Sequence, residues 1–485
     1  METSKSKVLS GLIWKFAERI SAQVVTFVVS IILGRLLMPE DYGLITVVTI
    51  FITFANCIVT NGFGSSLIQK KDSDNLDFST VLYFQFAFSM VLYGLLFVCA
   101  PLIAKFFGEG YDLLVPVLRV LGIRIPLTAI NTVQQAYVSK KMIFRKFFLS
   151  TIGGTVISAV VGIWMAYEGY GVWALVGQYL TSTTVSTIIL GFTIKWRPEL
   201  KFSWTRLREM FAYGWKLLAA GIIAELYNEM RKIVIGKFYT SADLAYFDRG
   251  MQIPNIIVTN INTSISNVLF PAISNAQNNI ADVKAIMRRS IRTSSYIMCP
   301  MMFGLAVVAE PLISLLLTDK WLPCVPYLRI YCIAYCFEPI QTANLQAIKA
   351  VGRSDIFLKL EIIKKLSYTV ILFAVMFQSI DAIAYSLLLN TFIAIIVNTT
   401  PNKKLIGYSF KELIADMAPG ILVSTVMAGI VFAEGMFLPL SPLPMIIVQV
   451  ATGGVVYLVL SVVFKVETFR YLLDTALEII GKKKA

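Results

Sequence analysis

The chain has 485 residues, of which 57% are hydrophobic and only 15% charged, and its mean hydropathy is +0.73. A soluble protein of this length needs far more polar surface to cover its core, so a water-soluble enzyme is excluded. Histidine is absent, which removes the usual zinc and imidazole-base chemistries, and the net charge of +14 points to nucleic acid only until the charges are placed.

Met1–Ser10 is short, polar and basic and runs into the first apolar stretch without a small-residue cleavage site, so no cleavable signal is expected. Apolar runs of bilayer-spanning length then recur along the chain. They fall at about 11–37, 42–68, 80–107, 113–138, 147–168, 171–194 and 211–238, then at about 243–272, 291–318, 323–348, 359–379, 381–399, 413–433 and 442–464. The expected fold is therefore all-α and polytopic, with about fourteen transmembrane helices. The longest gaps are about fifteen to twenty residues, too short for an extramembrane catalytic domain. That counts against a membrane-embedded polymerase or ligase. The six cysteines lie in or beside apolar runs and read as buried thiols rather than disulfides.

Every second connection is basic. Lys5 and Lys7, Lys70 and Lys71, Lys140 to Lys146, Lys195 to Arg208, Lys284 to Arg289, Lys349 and Arg353, Lys403 to Lys411 and Lys482 to Lys484 all fall on one side. The other side has little beyond Arg35, Lys105, Lys237 and Lys320, each near an acid. The positive-inside rule then places both termini in the cytoplasm and requires an even number of spans. The charge encodes topology, and no nucleic-acid partner is expected.

An internal repeat organises these spans. Ala100-Pro101-Leu102-Ile103 returns as Glu310-Pro311-Leu312-Ile313, and Pro116 to Arg119 returns as Pro326 to Arg329. Trp14-Lys15 likewise matches Trp215-Lys216, and Gly34-Arg35 leading to Asp41 matches Gly236-Lys237 leading to Asp243. Each copy holds six spans, an even number, so the copies enter the membrane in the same direction and are related by a pseudo-two-fold along its normal. The expected organisation is an N-terminal lobe at 1–195, a cytoplasmic interfacial linker at 196–210, a C-terminal lobe at 211–400, two extra spans at 401–464 and an amphipathic basic tail at 465–485. Trp196, Phe202, Trp204 and Leu207 suit a linker on the inner leaflet. Phe469, Leu472, Leu473, Ala476, Leu477 and Ile480 form the stripe of a membrane-anchored tail.

The informative residues are charges inside apolar runs, each costing about 3 kcal/mol or more if it faces lipid at mid-depth. Lys15, Glu18 and Arg19 share one face of the first span. Arg119 and Arg124 sit in the fourth, Asp248 and Arg249 in the eighth, and Arg329 and Glu338 in the tenth. Glu225, Asn228, Glu229 and Lys232 form a stripe on the seventh, with Arg231 beside it. Together with Lys216, nine cations stand against five acids, a surplus of four that internal pairing does not absorb. An anionic group in a cavity between two lobes would absorb it. Lys15, Arg19, Arg119, Arg124, Arg249 and Arg329 then form a ladder for a phosphate, and Glu225, Asn228 and Glu229 either hold a coupling Na⁺ or proton or pair with Arg231 and Lys232.

Two segments carry a resemblance. Gly34-Arg-Leu-Leu-Met-Pro-Glu-Asp-Tyr-Gly43, and Tyr246-Phe-Asp-Arg249 followed by Val268 to Gln277, resemble signatures of the polysaccharide transporter family. These are the Wzx-type flippases of the multidrug/oligosaccharidyl-lipid/polysaccharide exporter superfamily. The resemblance spans essentially the whole chain. It implies no enzyme activity and no cofactor, but translocation of undecaprenyl-diphosphate-linked oligosaccharide from the cytoplasmic to the outer leaflet of a bacterial membrane, for O-antigen, capsule or exopolysaccharide. Membrane lipids, a polysaccharide polymerase and glycosyltransferases are the partners it implies. A lipid II flippase shares the fold, as does a multidrug or cation antiporter, whose cationic cargo calls for an acidic cavity rather than this basic one.

Overall fold

The structure, a computed structural model, describes residues 2–482 apart from 62 and 71. Lys71, Lys483 and Lys484, and the side chains of Lys5, Lys7, Ile480 and Lys482, lie outside the described residues. Among the described residues there is no strand, and the chain forms an all-α polytopic membrane fold. It divides into two compact units, residues 1–245 and 246–485.

The first unit contains α1 (Glu2–Leu36), α2 (Pro39–Thr60), α3 (Phe63–Gln69), α4 (Asn75–Phe107), α5 (Leu114–Leu121), α6 (Arg124–Lys141), α7 (Phe144–Tyr167), α8 (Val172–Thr193) and α9 (Trp204–Phe238). α10 (Ser241–Asn275) starts there and runs into the second unit. That unit continues with α11 (Ile280–Val307), α12 (Ala309–Leu317), a short 3₁₀ turn (Asp319–Cys324), α13 (Val325–Cys336), α14 (Glu338–Ala350), α15 (Ser354–Val375), α16 (Ile380–Leu405), α17 (Phe410–Phe437), α18 (Pro442–Val463) and α19 (Glu467–Lys482).

Counting α5 and α6 as one, ten helices among the described residues are long and apolar enough to cross a membrane, and α11 with α12, bent by 66°, brings the number to at most eleven. The other three expected spans coincide with α9, which carries charges along its length, with α13 and α14, two short helices meeting at Phe337, and with α15, which carries Lys359, Glu361, Lys364 and Lys365.

Helix starts are built by their own sequence. Pro39 opens α2, and Asp41 accepts from the Met38 amide at 3.1 Å, satisfying an N–H that the helix leaves without a partner. The repeat-related Asp243 does the same for the Thr240 amide at 3.2 Å. Gly43 is required for a different reason: a Cβ there would stand 1.8 Å from the Ser241 carbonyl oxygen.

In the first unit α9 packs on α2, α3 and α4. Phe63, Leu67, Phe78 and Val81 form a core with Val133, Leu190, Leu207 and Met210. Trp196 is buried in that core beside Phe78 and Tyr137, and its Nε1 donates to Asn75 Oδ1 at 2.5 Å, whereas Phe202 and Trp204 are exposed. In the second unit α17 and α18 are integral rather than appended. Tyr296 on α11 donates to Ser461 Oγ at 2.6 Å, and Tyr457 on α18 donates to the Tyr296 carbonyl at 2.6 Å. Phe469 and Leu472 seat α19 against the same cluster, while Leu473 and Leu477 stay exposed.

Candidate functional site

In the first unit, Lys15 lies over the rings of Phe144 and Phe147 at 5.6 and 5.9 Å, and Arg19 is exposed one turn further along α1. Arg124 heads α6, where its Nε donates to Thr183 Oγ1 on α8 at 2.8 Å and its guanidinium sits 5.4 Å from the Tyr179 ring. On α9, Glu225 is half-buried, Asn228 is exposed and Glu229 pairs with Lys232 at 3.3 Å. Among the described residues no group of three or more Asp, Glu or Cys could hold a metal ion.

Arg119 and Arg329 have equivalent surroundings in their separate units. Pro101 has no N–H to offer the Phe97 carbonyl four residues earlier, and Arg119 Nε donates to that carbonyl at 3.2 Å while its guanidinium stacks 4.3 Å from the Phe97 ring. In the second copy α11 stops at Val307, just ahead of Pro311, and its last carbonyls lie at that break. Arg329 Nε donates to one of them, Ala306, at 3.1 Å, and Glu310 stands 3.7 Å from its Nη2. In each copy an arginine from a later helix thus donates to a backbone carbonyl of an earlier helix, four or five residues before the repeated proline.

Arg249 is 4% exposed and lies 4.9 Å over the ring of the buried Trp321. Its Nη1 donates to Gln252 Oε1 at 2.9 Å, and Gln252 in turn donates to Asp248 at 3.0 Å. Phe247 packs on Tyr327 and Tyr331, so the Tyr246–Arg249 signature knits the early turns of α10 to α13. Gly250 permits the close approach, because a Cβ there would be 2.8 Å from that of Tyr327.

Beyond that contact α10 lines a cavity of about 420 Å³ with Asn255, Thr259, Asn262, Thr263, Ser266 and Asn267, faced by Tyr335 and Glu338. Charge-based reading of the sequence missed this surface. The available signal was eight Asn, Ser and Thr residues between Asn255 and Asn267 inside an apolar run, with Asn255, Thr259, Asn262 and Ser266 at helical spacing. A different face of α10, with Ile261, Ile265, Val268 and Ala272, lines a largely apolar groove of about 970 Å³ against α11 and α19. Arg289, 5.0 Å from the Tyr471 ring, lies on that groove.

Long apolar helices that carry polar and basic side chains mark a polytopic α-helical membrane transporter. Residues 32–326 match the model of a family described as polysaccharide biosynthesis protein, and the chain belongs to that family. The resemblance carried by the Gly34–Gly43 and Tyr246–Gln277 motifs is thereby borne out.

The chain is 24% identical over 480 residues to the succinoglycan biosynthesis transport protein ExoT of Rhizobium meliloti (strain 1021), covering 96% of this chain and 94% of that protein. It is 23% identical over 362 residues to the teichuronic acid biosynthesis protein TuaB of Bacillus subtilis (strain 168), covering 73% of this chain and 74% of that one. Among solved structures, lipid II flippase MurJ in an inward closed conformation shares the fold with a TM-score of 0.77 at 15% identity, covering 95% of this chain and 100% of that one.

Proposed function

We propose that the protein is a flippase that carries an oligosaccharide linked to a polyprenyl diphosphate from the cytoplasmic to the outer leaflet of a bacterial cytoplasmic membrane. The observation that carries the reading is the family match over residues 32–326, on a chain whose membrane helices hold a surplus of basic side chains. The names of its relatives, which concern succinoglycan transport and teichuronic acid biosynthesis, support a polysaccharide precursor as cargo. The basic loops support cytoplasmic termini. Enzymes that assemble and polymerise the repeat unit are the working partners of such a carrier.

Transport proceeds by alternating access, without covalent chemistry. Lys15, Arg19, Arg124 and Arg249 neutralise the diphosphate, and charge-assisted bonds to its oxygens replace lost hydration. Arg119 and Arg329 join them only through their terminal nitrogens, since Nε of each is committed to a backbone carbonyl. The polyprenyl chain stays against apolar surface and lipid. Glu225 and Asn228 are the residues on α9 for a coupling proton or Na⁺, Glu229 being paired to Lys232.

Arg19→Ala in proteoliposomes tests the cationic role. Arg19 is exposed, so its loss leaves the packing of α1 intact. Removing this charge weakens head-group binding, and inversion of a labelled lipid-linked oligosaccharide slows about tenfold. Arg19→Lys recovers part of the rate, because lysine keeps the charge and loses the fork. Wild-type inversion by Arg19→Ala makes this residue an interfacial anchor.

A further inference from the structure

We propose that the Asn/Thr/Ser face of α10, together with Tyr335 and Glu338, is the surface that binds the sugar of the cargo, apart from the cations that meet its diphosphate. The proposal rests on the flippase reading and names a subsite within it.

At about 100° per residue, Asn255, Thr259, Asn262 and Ser266 fall within an arc of about 60° on α10. Ile261, Ile265, Val268 and Ala272 fill a second arc rotated by about 120°. One helix therefore presents hydrogen-bonding groups to one cavity and apolar groups to another. An amphiphile with a sugar head and a hydrocarbon tail has the same division.

Stability does not account for the polar arc. Uncharged polar side chains in a membrane helix commonly satisfy themselves on the carbonyl one turn back, as Thr263 does on Thr259 at 2.7 Å and Asn260 on Ile256 at 2.9 Å. Thr263 itself lines the cavity, but Thr259 and Asn262 beside it are satisfied less completely. Thr259 donates to the Asn255 side chain at a long 3.3 Å, and among the described residues nothing donates to the buried Asn262 Oδ1. A buried acceptor left unpaired is costly unless a ligand or water completes it.

The chemistry of the lining selects the ligand. Among the described residues that line this cavity there is no lysine or arginine to meet a diphosphate, and the carboxyl of Glu338 bonds hydroxyl groups. Amides and hydroxyls offer donors and acceptors side by side, as the hydroxyls of a neutral sugar require. Tyr335 adds an aromatic face and a further hydroxyl. A volume of about 420 Å³ is that of a small-ligand pocket.

The test compares two probes on purified protein in nanodiscs: undecaprenyl diphosphate, and the same lipid carrying an oligosaccharide. The wild type binds the glycosylated form more tightly. Asn262→Leu combined with Thr259→Val, both close in volume to the originals, reduces that advantage by about tenfold, the effect of two lost neutral hydrogen bonds. The same double variant binds the sugar-free lipid within about twofold of wild type, which also reports that it is folded. If the wild type binds both probes alike, or the double variant keeps the advantage or weakens both probes equally, this face does not read sugar and the proposal fails while the flippase reading stands. If the wild type binds neither probe, the flippase reading itself fails.

Discussion

Asp416 is the strongest single test of how the second unit is held together. Its carboxylate is fully buried on α17 and accepts four hydrogen bonds: Arg288 Nε and Nη2 at 2.8 Å each, Arg292 Nε at 2.7 Å and Tyr408 OH at 3.0 Å. Arg292 also reaches Glu467 at 2.9 Å, so the cluster ties α11, α17 and α19. Asp416→Asn keeps the shape, removes the charge and turns an NH₂ group toward guanidinium donors. Breaking a buried pair by removing one partner costs about 3–5 kcal/mol. The Arg288 and Arg292 side chains are 32% and 36% exposed, so water recovers part of that loss, and the lower end, about 3 kcal/mol, applies. For a body the size of residues 246–485 this lowers the thermal midpoint by about 6–12 °C. The assay is detergent-solubilised unfolding at one fixed scan rate, since unfolding of such a chain is irreversible. Asp355→Asn, which breaks an exposed pair with Arg353, is the reference and moves the midpoint by less than about 2 °C. An Asp416→Asn midpoint no lower than that reference refutes the reasoning.

Gly43→Val pushes a branched side chain into the Ser241 carbonyl and costs about 3 kcal/mol or more, so membrane accumulation falls severalfold, while Gly429→Val, with open space at its Cβ, accumulates normally. At the start of α4, the hydrogen bond from Arg206 holds the Asp74 carboxyl down at about 2, against an ordinary value of 3.8. A depressed carboxyl stabilises the fold above the unfolded value and stops doing so as pH falls through the folded one. The Asp74 contribution is therefore whole above about pH 4 and lost toward about pH 2, and the thermal midpoint of Asp74→Asn is flatter than wild type across that window.

Much of this was legible in the sequence, for reasons particular to each element. The Gly34–Gly43 motif is local: Pro39 and Asp41 build a helix start from neighbours in the chain, so the residues that signal the turn also make it. The Pro101 and Pro311 repeat was visible as a pattern, but the partner of each following arginine is a carbonyl, which has no letter of its own. The sequence pattern places Trp196 at the membrane interface, but the residue is buried in the core by Phe78, Tyr137 and Asn75, far away in the sequence. Helical periodicity showed that α9 has a polar stripe, yet could not show that the helix packs on α2, α3 and α4. The polar face of α10 escaped notice because Asn, Ser and Thr carry no charge, and the isoleucines and valines between them keep the run apolar on average.

The central claim is that this carrier moves a sugar-bearing lipid phosphate and not a cationic drug. Purified protein reconstituted in proteoliposomes, given fluorescent undecaprenyl-diphosphate oligosaccharide on one leaflet, measures it directly. The account predicts protein-dependent appearance of the label on the opposite leaflet, with no protein-dependent movement of a lipophilic dye cation under the same gradients. Dye transport with a stationary lipid-linked oligosaccharide contradicts it.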